Sequence, residues 1–414
     1  MSKFKQNLGF WIVLIEWYEF TIYNSLIPYG IFGGKTETSI YYGFIIFALS
    51  FMARPIGSIY FSQITDRTKS IRLTLLVISI STILMGFYPD SLQIPSIWFG
   101  LCKIMQGFAL GGSYGLSYLD TYSHEEAKSK PKLNYKLAKV QTGWVYGMLI
   151  GEGTIFILKV TMGNLGTVVK LIQTNKYLEI FHLPISSQFI SWGWRVPFIF
   201  TSIIGLLLYF KSRNLQEVKT ERRDIIRDMG QFIFKQPILY YAIFMVVSID
   251  MILFHSWFTY QEVVSDTGVM STVFANIRRI LLLILFPIMG KLTDSLPFGY
   301  RNNYIILALT CISMIVFSLI PLPTYLWIAI SSVTAAMCYG SIVVWAIRIF
   351  GYKAGSLLGP TFNLSSGLVG SVIPLVSTLA SANGLPANCV TIALSIVSLL
   401  SLGYAFSRGV ERQR

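Results

Sequence analysis

"FANIRRILLLILFPIMGKLTD", residues 274–294, places two adjacent arginines, Arg278 and Arg279, near the start of a long apolar run. The run is long enough to cross a bilayer, which takes about 20 helical residues at a rise of 1.5 Å each. A helix through it carries both cations into hydrocarbon, where an arginine costs at least about 2.5–3.5 kcal/mol. Something in the chain must offset that cost. The rest of the sequence is therefore read for acids at the same depth and for the bundle that would hold them.

The 414 residues are 54% hydrophobic and 13% charged, with a mean hydropathy of +0.61. A soluble domain carries about 25% charge. The polar residues cluster between apolar runs, as expected when lipid is the solvent. The pattern predicts an all-α integral membrane protein with twelve transmembrane helices, over 8–31, 40–63, 71–89, 94–121, 136–160, 188–211, 236–260, 270–291, 303–321, 323–350, 355–382 and 388–407.

The net charge of +14 is a topology signal. On this reading 24 of the 33 Lys and Arg lie in the termini and loops of one side or in the span ends that border them, three lie on the other side (Lys35, Lys170, Lys176), and the remaining six fall within spans. The positive-inside rule then places both termini in the cytoplasm. Nucleic acid is not expected as a partner. The four cysteines form no CxxC spacing, so no metal site or disulfide framework is expected. There is no GxxxxGK[ST] phosphate loop or HExxH, and the one GxSxG match, "GGSYG" at 111–115, falls inside a predicted span and not on a strand-to-helix turn, so an enzyme is not expected.

One long charged stretch, "KSRNLQEVKTERRDIIRDMGQFIFK" (211–235), divides the spans six and six. The expected organisation is an N-terminal six-helix half (1–211), a cytoplasmic linker (212–235) forming a solvated or membrane-surface helix, and a C-terminal six-helix half (236–414). Such internal duplication implies a transporter with its site near midplane. The 2–3 junction "SQITDRTKSIR" and the 8–9 junction "GKLTDSLPFGYR" echo each other. Each sets an acid (Asp66, Asp294) just past a span, followed by cations (Arg67, Arg72; Arg301), an arrangement suited to a conformational gate. A long segment at 161–187 is expected outside the membrane.

The motif "RPIGSIYFSQITDRTKSIR" (54–72) resembles the 2–3 loop signature of the major facilitator superfamily. With "EWYEF" (16–20), "KIMQGFALGG" (103–112), "WGWRVPF" (192–198) and "FNLSSGLVGSVIP" (362–374), the chain resembles the metabolite:proton symporters, carriers of proline, betaine, citrate, ketoglutarate or shikimate. Departures are Ser62 for Gly, Lys69-Ser70-Ile71 for Gly-Arg-Lys, Lys103 for Arg, Glu19 for Asp and Ser113 for Glu. No basic residue immediately follows Asp294. The resemblance implies two six-helix halves moving against each other in a bacterial inner membrane, with the acid at Glu19 taking up the proton and the cation at Lys103 tuning it.

Depth along the spans groups the charges. Glu19, Lys103, Asp250 and Arg278 each lie about 12–15 Å from the outer end of their span. Arg278 and Arg279 are about 100° apart on the helix. One is expected to face the substrate and the other to pair with a carboxylate, Asp250 being the candidate. Because arginine presents a planar fork suited to carboxylates, an organic anion is the expected substrate. Tyr23 and Trp257 join the expected substrate-binding set, since aromatic faces can stack on a cation. Glu16 and Arg54 are expected to form a structural ion pair. The alternatives are a zwitterion such as proline or betaine, and export of a metabolite such as a carboxylate siderophore. The expected partners are the solute, protons and the bilayer. The chain is expected to be a monomer with no cofactor.

Overall fold

The computed structural model describes residues 8–410, apart from 30, 33–35, 65, 127–131, 177–178, 180–182, 184–185, 214–223, 254–268, 321, 371, 374–375, 378–379, 381–382 and 387. Helices occupy all twelve apolar segments. The first six spans are Leu8–Leu26, Thr36–Ser62, Arg67–Gly86, Pro95–Glu126, Leu133–Lys159 and Arg195–Ser212. Span 7 runs Pro237–Val247 and continues through Ile249–Met251. Span 8 is Val269–Ser295 and span 9 Arg301–Leu319. Span 10 joins Thr324–Tyr339 to Ile342–Phe350, span 11 begins at Ala354–Ser365, and span 12 is Cys389–Val410. Among the described residues, seven helices are long and apolar enough to cross a bilayer by themselves. Span 1 is not among them; Glu16 and Glu19, with Asn24 and Ser25, lower its mean hydropathy.

Hydrophobic burial does little to join helices in lipid, so backbone closeness must. Gly107 and Gly111 on span 4 and Gly57 on span 2 form such a seam. A Cβ at Gly57 would overlap the carbonyl oxygen of Phe108, one at Gly107 that of Ser50, and one at Gly111 that of Arg54. Span 5 seats span 1 in the same way, with the Cβ position of Gly143 only 2.7 Å from the Phe10 carbonyl oxygen. The seam also crosses between the first and last six spans. A Cβ at Gly115 would lie 2.6 Å from the Cα of Gly359 on span 11, and one at Gly290 on span 8 would lie 2.8 Å from the Asn134 carbonyl oxygen on span 5.

Two helices depart from the span direction. Beyond Lys159 a π-turn, Val160–Asn164, leads into Leu165–Gln173, where Leu165, Val169 and Ile172 are exposed along one stripe. The turn requires Gly163, whose φ of +123° suits only glycine. The expected external loop thus begins as an amphipathic helix. The linker likewise ends in a helix, Ile225–Lys235, capped by Asp224 (Arg227 N–H, 3.1 Å) and bent 109° from span 7.

Gly57→Ala and Gly107→Ala are each expected to lower the melting temperature of the purified protein by more than about 2 °C, because overpacking costs roughly 1–3 kcal/mol. Gly153→Ala, whose Cβ meets nothing within 4 Å, should leave it unchanged. Equal melting temperatures for all three would mean that spans 2 and 4 are not in backbone contact.

Candidate functional site

Spans 1, 2, 7 and 11 enclose a small central cavity with room for about 30 Å³, close to one water molecule's share of liquid volume. Glu16, Trp17, Phe20, Phe51, Arg54 and Asp250 line it, with Asn363 closing one side. The Glu16–Arg54 pair is present at 2.9 Å, and Ser113 donates to the other Glu16 oxygen at 3.5 Å. Arg54 also stacks on Phe51, 4.1 Å from the ring centre. Its Nε is buried without a hydrogen-bond partner among the described residues. The ion pair is therefore part of the cavity wall, and one N–H of the guanidinium remains unused.

Asp250 faces the pair from span 7 and is only 2% exposed. Its Oδ1 accepts the Met251 N–H at 2.7 Å. Among the described residues no cation lies within ion-pair reach of it. A lone buried carboxylate is costly unless a partner arrives or a proton neutralises it.

Glu19 lies deeper inside the first six spans. It accepts from Thr82 at 2.5 Å and from the Gln106 amide. The Gln106 carbonyl oxygen accepts from Lys103 at 2.6 Å, and Lys103 stands 4.5 Å over the Tyr23 ring. Glu19 and Lys103 are thus linked through Gln106, one helical turn after Lys103. Gln106 and Thr82 carry no charge, so hydropathy and depth gave no signal for them; the i, i+3 spacing of Lys103 and Gln106 was the available clue. Tyr23 sits beneath Lys103, and its hydroxyl donates to the Gly43 carbonyl at 3.0 Å.

The two arginines of span 8 diverge. Arg279 pairs with Glu152 of span 5 at 2.6 Å and also donates to Asn276 at 3.0 Å. Arg278 is buried with its guanidinium 5.7 Å from the Trp327 ring on span 10. The carboxylate that meets Arg279 is therefore Glu152 and not Asp250. Span 5 packs closely along span 8, and Glu152 lies on the face between them. Neither arginine lines the central cavity. Trp257 lies outside the described residues.

At the end of the bundle that carries the basic loops, Asp294 joins span 8 to span 5. It accepts from the Asn134 N–H (3.1 Å), the Asn134 side chain (2.8 Å) and the Tyr135 N–H (2.9 Å). The first turn of span 5 is thereby capped from the other six spans. Asn303 extends the contact, donating to Asn134 at 2.7 Å and accepting from Arg348 at 3.0 Å. Asp66 does not mirror this. It caps its own span 3 through the Thr68 and Lys69 N–H groups, at 2.9 and 3.2 Å. Arg72 donates to the Ser212 carbonyl at 3.0 Å. Arg301 is exposed near the Tyr300 and Phe406 rings. The side chain of Arg67 lies outside the described residues.

Against known proteins, the sugar (and other) transporter family profile matches residues 9–217. A proline/betaine transporter of Salmonella typhimurium is 25% identical over 49% of this chain, and the match spans 38% of that relative's length. The alpha-ketoglutarate permease of Escherichia coli is 25% identical over 70% of this chain and 65% of its own length. The crystallised proton:xylose symporter XylE shares the fold, with a TM-score of 0.66 and 14% identity over 98% of this chain and 95% of its own.

The Glu152–Arg279 contact lends itself to a double-mutant cycle. Glu152→Gln and Arg279→Gln should each lower the melting temperature, and the double variant should lose less than their sum, with a coupling of about 0.5–3 kcal/mol. Strict additivity would show that the two side chains do not interact.

Proposed function

The chain belongs to the sugar (and other) transporter family of the major facilitator superfamily, and from this premise we propose that it is a proton-coupled symporter for a small zwitterion carrying a carboxylate and a cationic nitrogen. As a family member it is a multi-pass membrane transporter of small metabolites and not an enzyme. The observation that carries the zwitterion reading is the cavity's charge balance. Glu16 and Arg54 neutralise each other, leaving Asp250 as the uncompensated group. A simple anion would meet net negative charge there. Once the helices part beyond the roughly 30 Å³ present here, a zwitterion can set its cationic end against Asp250 and the faces of Trp17 and Phe20, and its carboxylate against the unused N–H of Arg54. A proline/betaine transporter among the relatives agrees with this chemistry.

The organic-anion reading relies on Arg278 or Arg279 entering the cavity. It keeps support from the alpha-ketoglutarate permease match. Glu19 is the proton site in this proposal. As a carboxylate it only accepts hydrogen bonds; once protonated it must donate one. The Gln106 amide would then turn, and its hold on Lys103 would change. Proton uptake thus alters how spans 1, 3 and 4 meet.

The six-span sets 1–211 and 236–414 are the moving units in the proposal, with the basic end in the cytoplasm. Opening towards that end requires Asp294 to release Asn134 and Tyr135.

Counterflow in proteoliposomes tests the assignment. Betaine or proline should exchange in the wild type, and Asp250→Asn should reduce that exchange at least about tenfold, the loss expected when a buried charge-assisted contact is removed. Glu19→Gln should still exchange solute but lose uptake driven by a pH gradient. Exchange of ketoglutarate alone, retained by Asp250→Asn and abolished by Arg278→Ala, would instead establish the anion reading. Wild-type uptake indifferent to a pH gradient would remove the proton.

A further inference from the structure

At the basic end, the elbow between Ile225–Lys235 and span 7 encloses a second pocket of about 370 Å³. Lys235 enters it from the linker helix and Arg408 from the end of span 12. Gln236 and Tyr404 supply neutral polar groups, and Ile238 contributes to its apolar wall. Among the described residues no carboxylate lines it. The acids of the linker helix are engaged elsewhere: Asp224 caps the helix, and Asp228 accepts from Ser356 of span 11 at 2.7 Å. Arg408 is held against Tyr404, 5.7 Å from the ring centre. The pocket is therefore a cationic recess of headgroup size.

The surface beside it is apolar. Ile225 and Phe232 are buried and define the face of the linker helix turned to the bundle. On a 100° wheel, Ile233, Ile226 and Phe234 follow round one flank, while Arg227, Gln231 and Lys235 take the other. Phe234 is 88% exposed and Ile238, where span 7 begins, 62%. The 109° bend sets this helix across the span direction. Such an amphipathic helix lies in the plane of the membrane interface. Ile238 both lines the recess and is exposed, so cationic recess and apolar surface adjoin there, matching an amphiphile with an anionic head.

We infer that this elbow binds the phosphodiester headgroup of an anionic phospholipid, with Lys235 and Arg408 on the phosphate and an acyl chain along Phe234 and Ile238. A basic pocket between membrane helices on the cytoplasmic side is suited to such a headgroup. A soluble phosphate would use the two cations but gain nothing from the apolar flank. The inference does not depend on which solute is carried. It requires only that the chain sit in a membrane.

Native mass spectrometry of the purified full chain, with phosphatidylglycerol or phosphatidylcholine added, gives the test. Phosphatidylglycerol should be retained preferentially. Lys235→Gln with Arg408→Gln should weaken its retention by about tenfold to thirty-fold, from roughly 1 kcal/mol per interfacial cation. Lys139→Gln with Lys291→Gln, which remove two other cations from the same end, should not. Phe234→Ser should weaken retention while leaving the cations in place. Inorganic phosphate at millimolar concentration should not compete. Unchanged retention in the Lys235/Arg408 double variant would overturn the inference. Full competition by phosphate together with indifference to Phe234→Ser would reassign the recess to a soluble anion. Both altered positions are exposed, and an unchanged melting temperature confirms that each variant is folded.

Discussion

An ionised side chain in hydrocarbon persists only if the protein supplies its counter-charge or hydrogen bonds, and several of the charges here find them on a different span. Glu16 of span 1 meets Arg54 of span 2. Glu19 of span 1 reaches Lys103 of span 4 through Gln106, with Thr82 of span 3 bonded to the same carboxylate. Arg279 of span 8 meets Glu152 of span 5. Leaving one member unpaired costs several kcal/mol, so these contacts restrict which helices can be neighbours and how far each can rotate. The glycine seams make the contacts reachable, since spans 2 and 4 approach until backbone touches backbone.

Asp250 departs from that pattern, and the departure gives the cavity its character. This carboxylate faces a neutralised ion pair and accepts one backbone N–H, but no cation among the described residues balances its charge. A binding site in a transporter needs this condition, because a fully compensated cavity would have no electrostatic preference for its solute. The aromatic walls add a face for a desolvated cation without adding charge. Glu19, also an acid at depth, does not line the cavity. In the proposed function, proton and solute would therefore act on different contacts of the same helix.

The contacts that join the first and last six spans have a different chemistry from those inside each set. Asp294 caps the first turn of span 5 with three hydrogen bonds, two of them to backbone N–H groups. Gly115 and Gly359 abut without polar contact. Glu152 and Arg279 form the cross-set ion pair towards the other end. Hydrogen bonds from a helix terminus can be returned to water when the contact opens, since these groups lie at a membrane surface. The buried pairs within the first six spans have no such recourse and hold that set together.

Much of the fold was legible because the relevant property is local. Span number and approximate length follow from apolar runs measured against bilayer thickness, and the depth of Glu19, Lys103, Asp250 and Arg278 follows from a fixed rise per residue. The amphipathic linker helix was readable in its mixed charges. Partner identity was not readable in the same way. Depth along a helix says nothing of which neighbour stands beside it or how each helix is rotated. Asp250 and Glu152 were both acids that Arg279 could have met, and only the packing of span 5 against span 8 chose Glu152. Gln106 was invisible to any search for charges, although it joins two of them. Asp66 and Asp294 occupy matching motifs, yet one caps its own helix and the other caps a helix of the opposite set. The amino-acid sequence by itself determined that twelve helices cross a membrane and how deep their charges lie. The tertiary structure alone decided which charges meet and which one is left facing the cavity, because those outcomes depend on helix rotation and contact, which no single helix encodes.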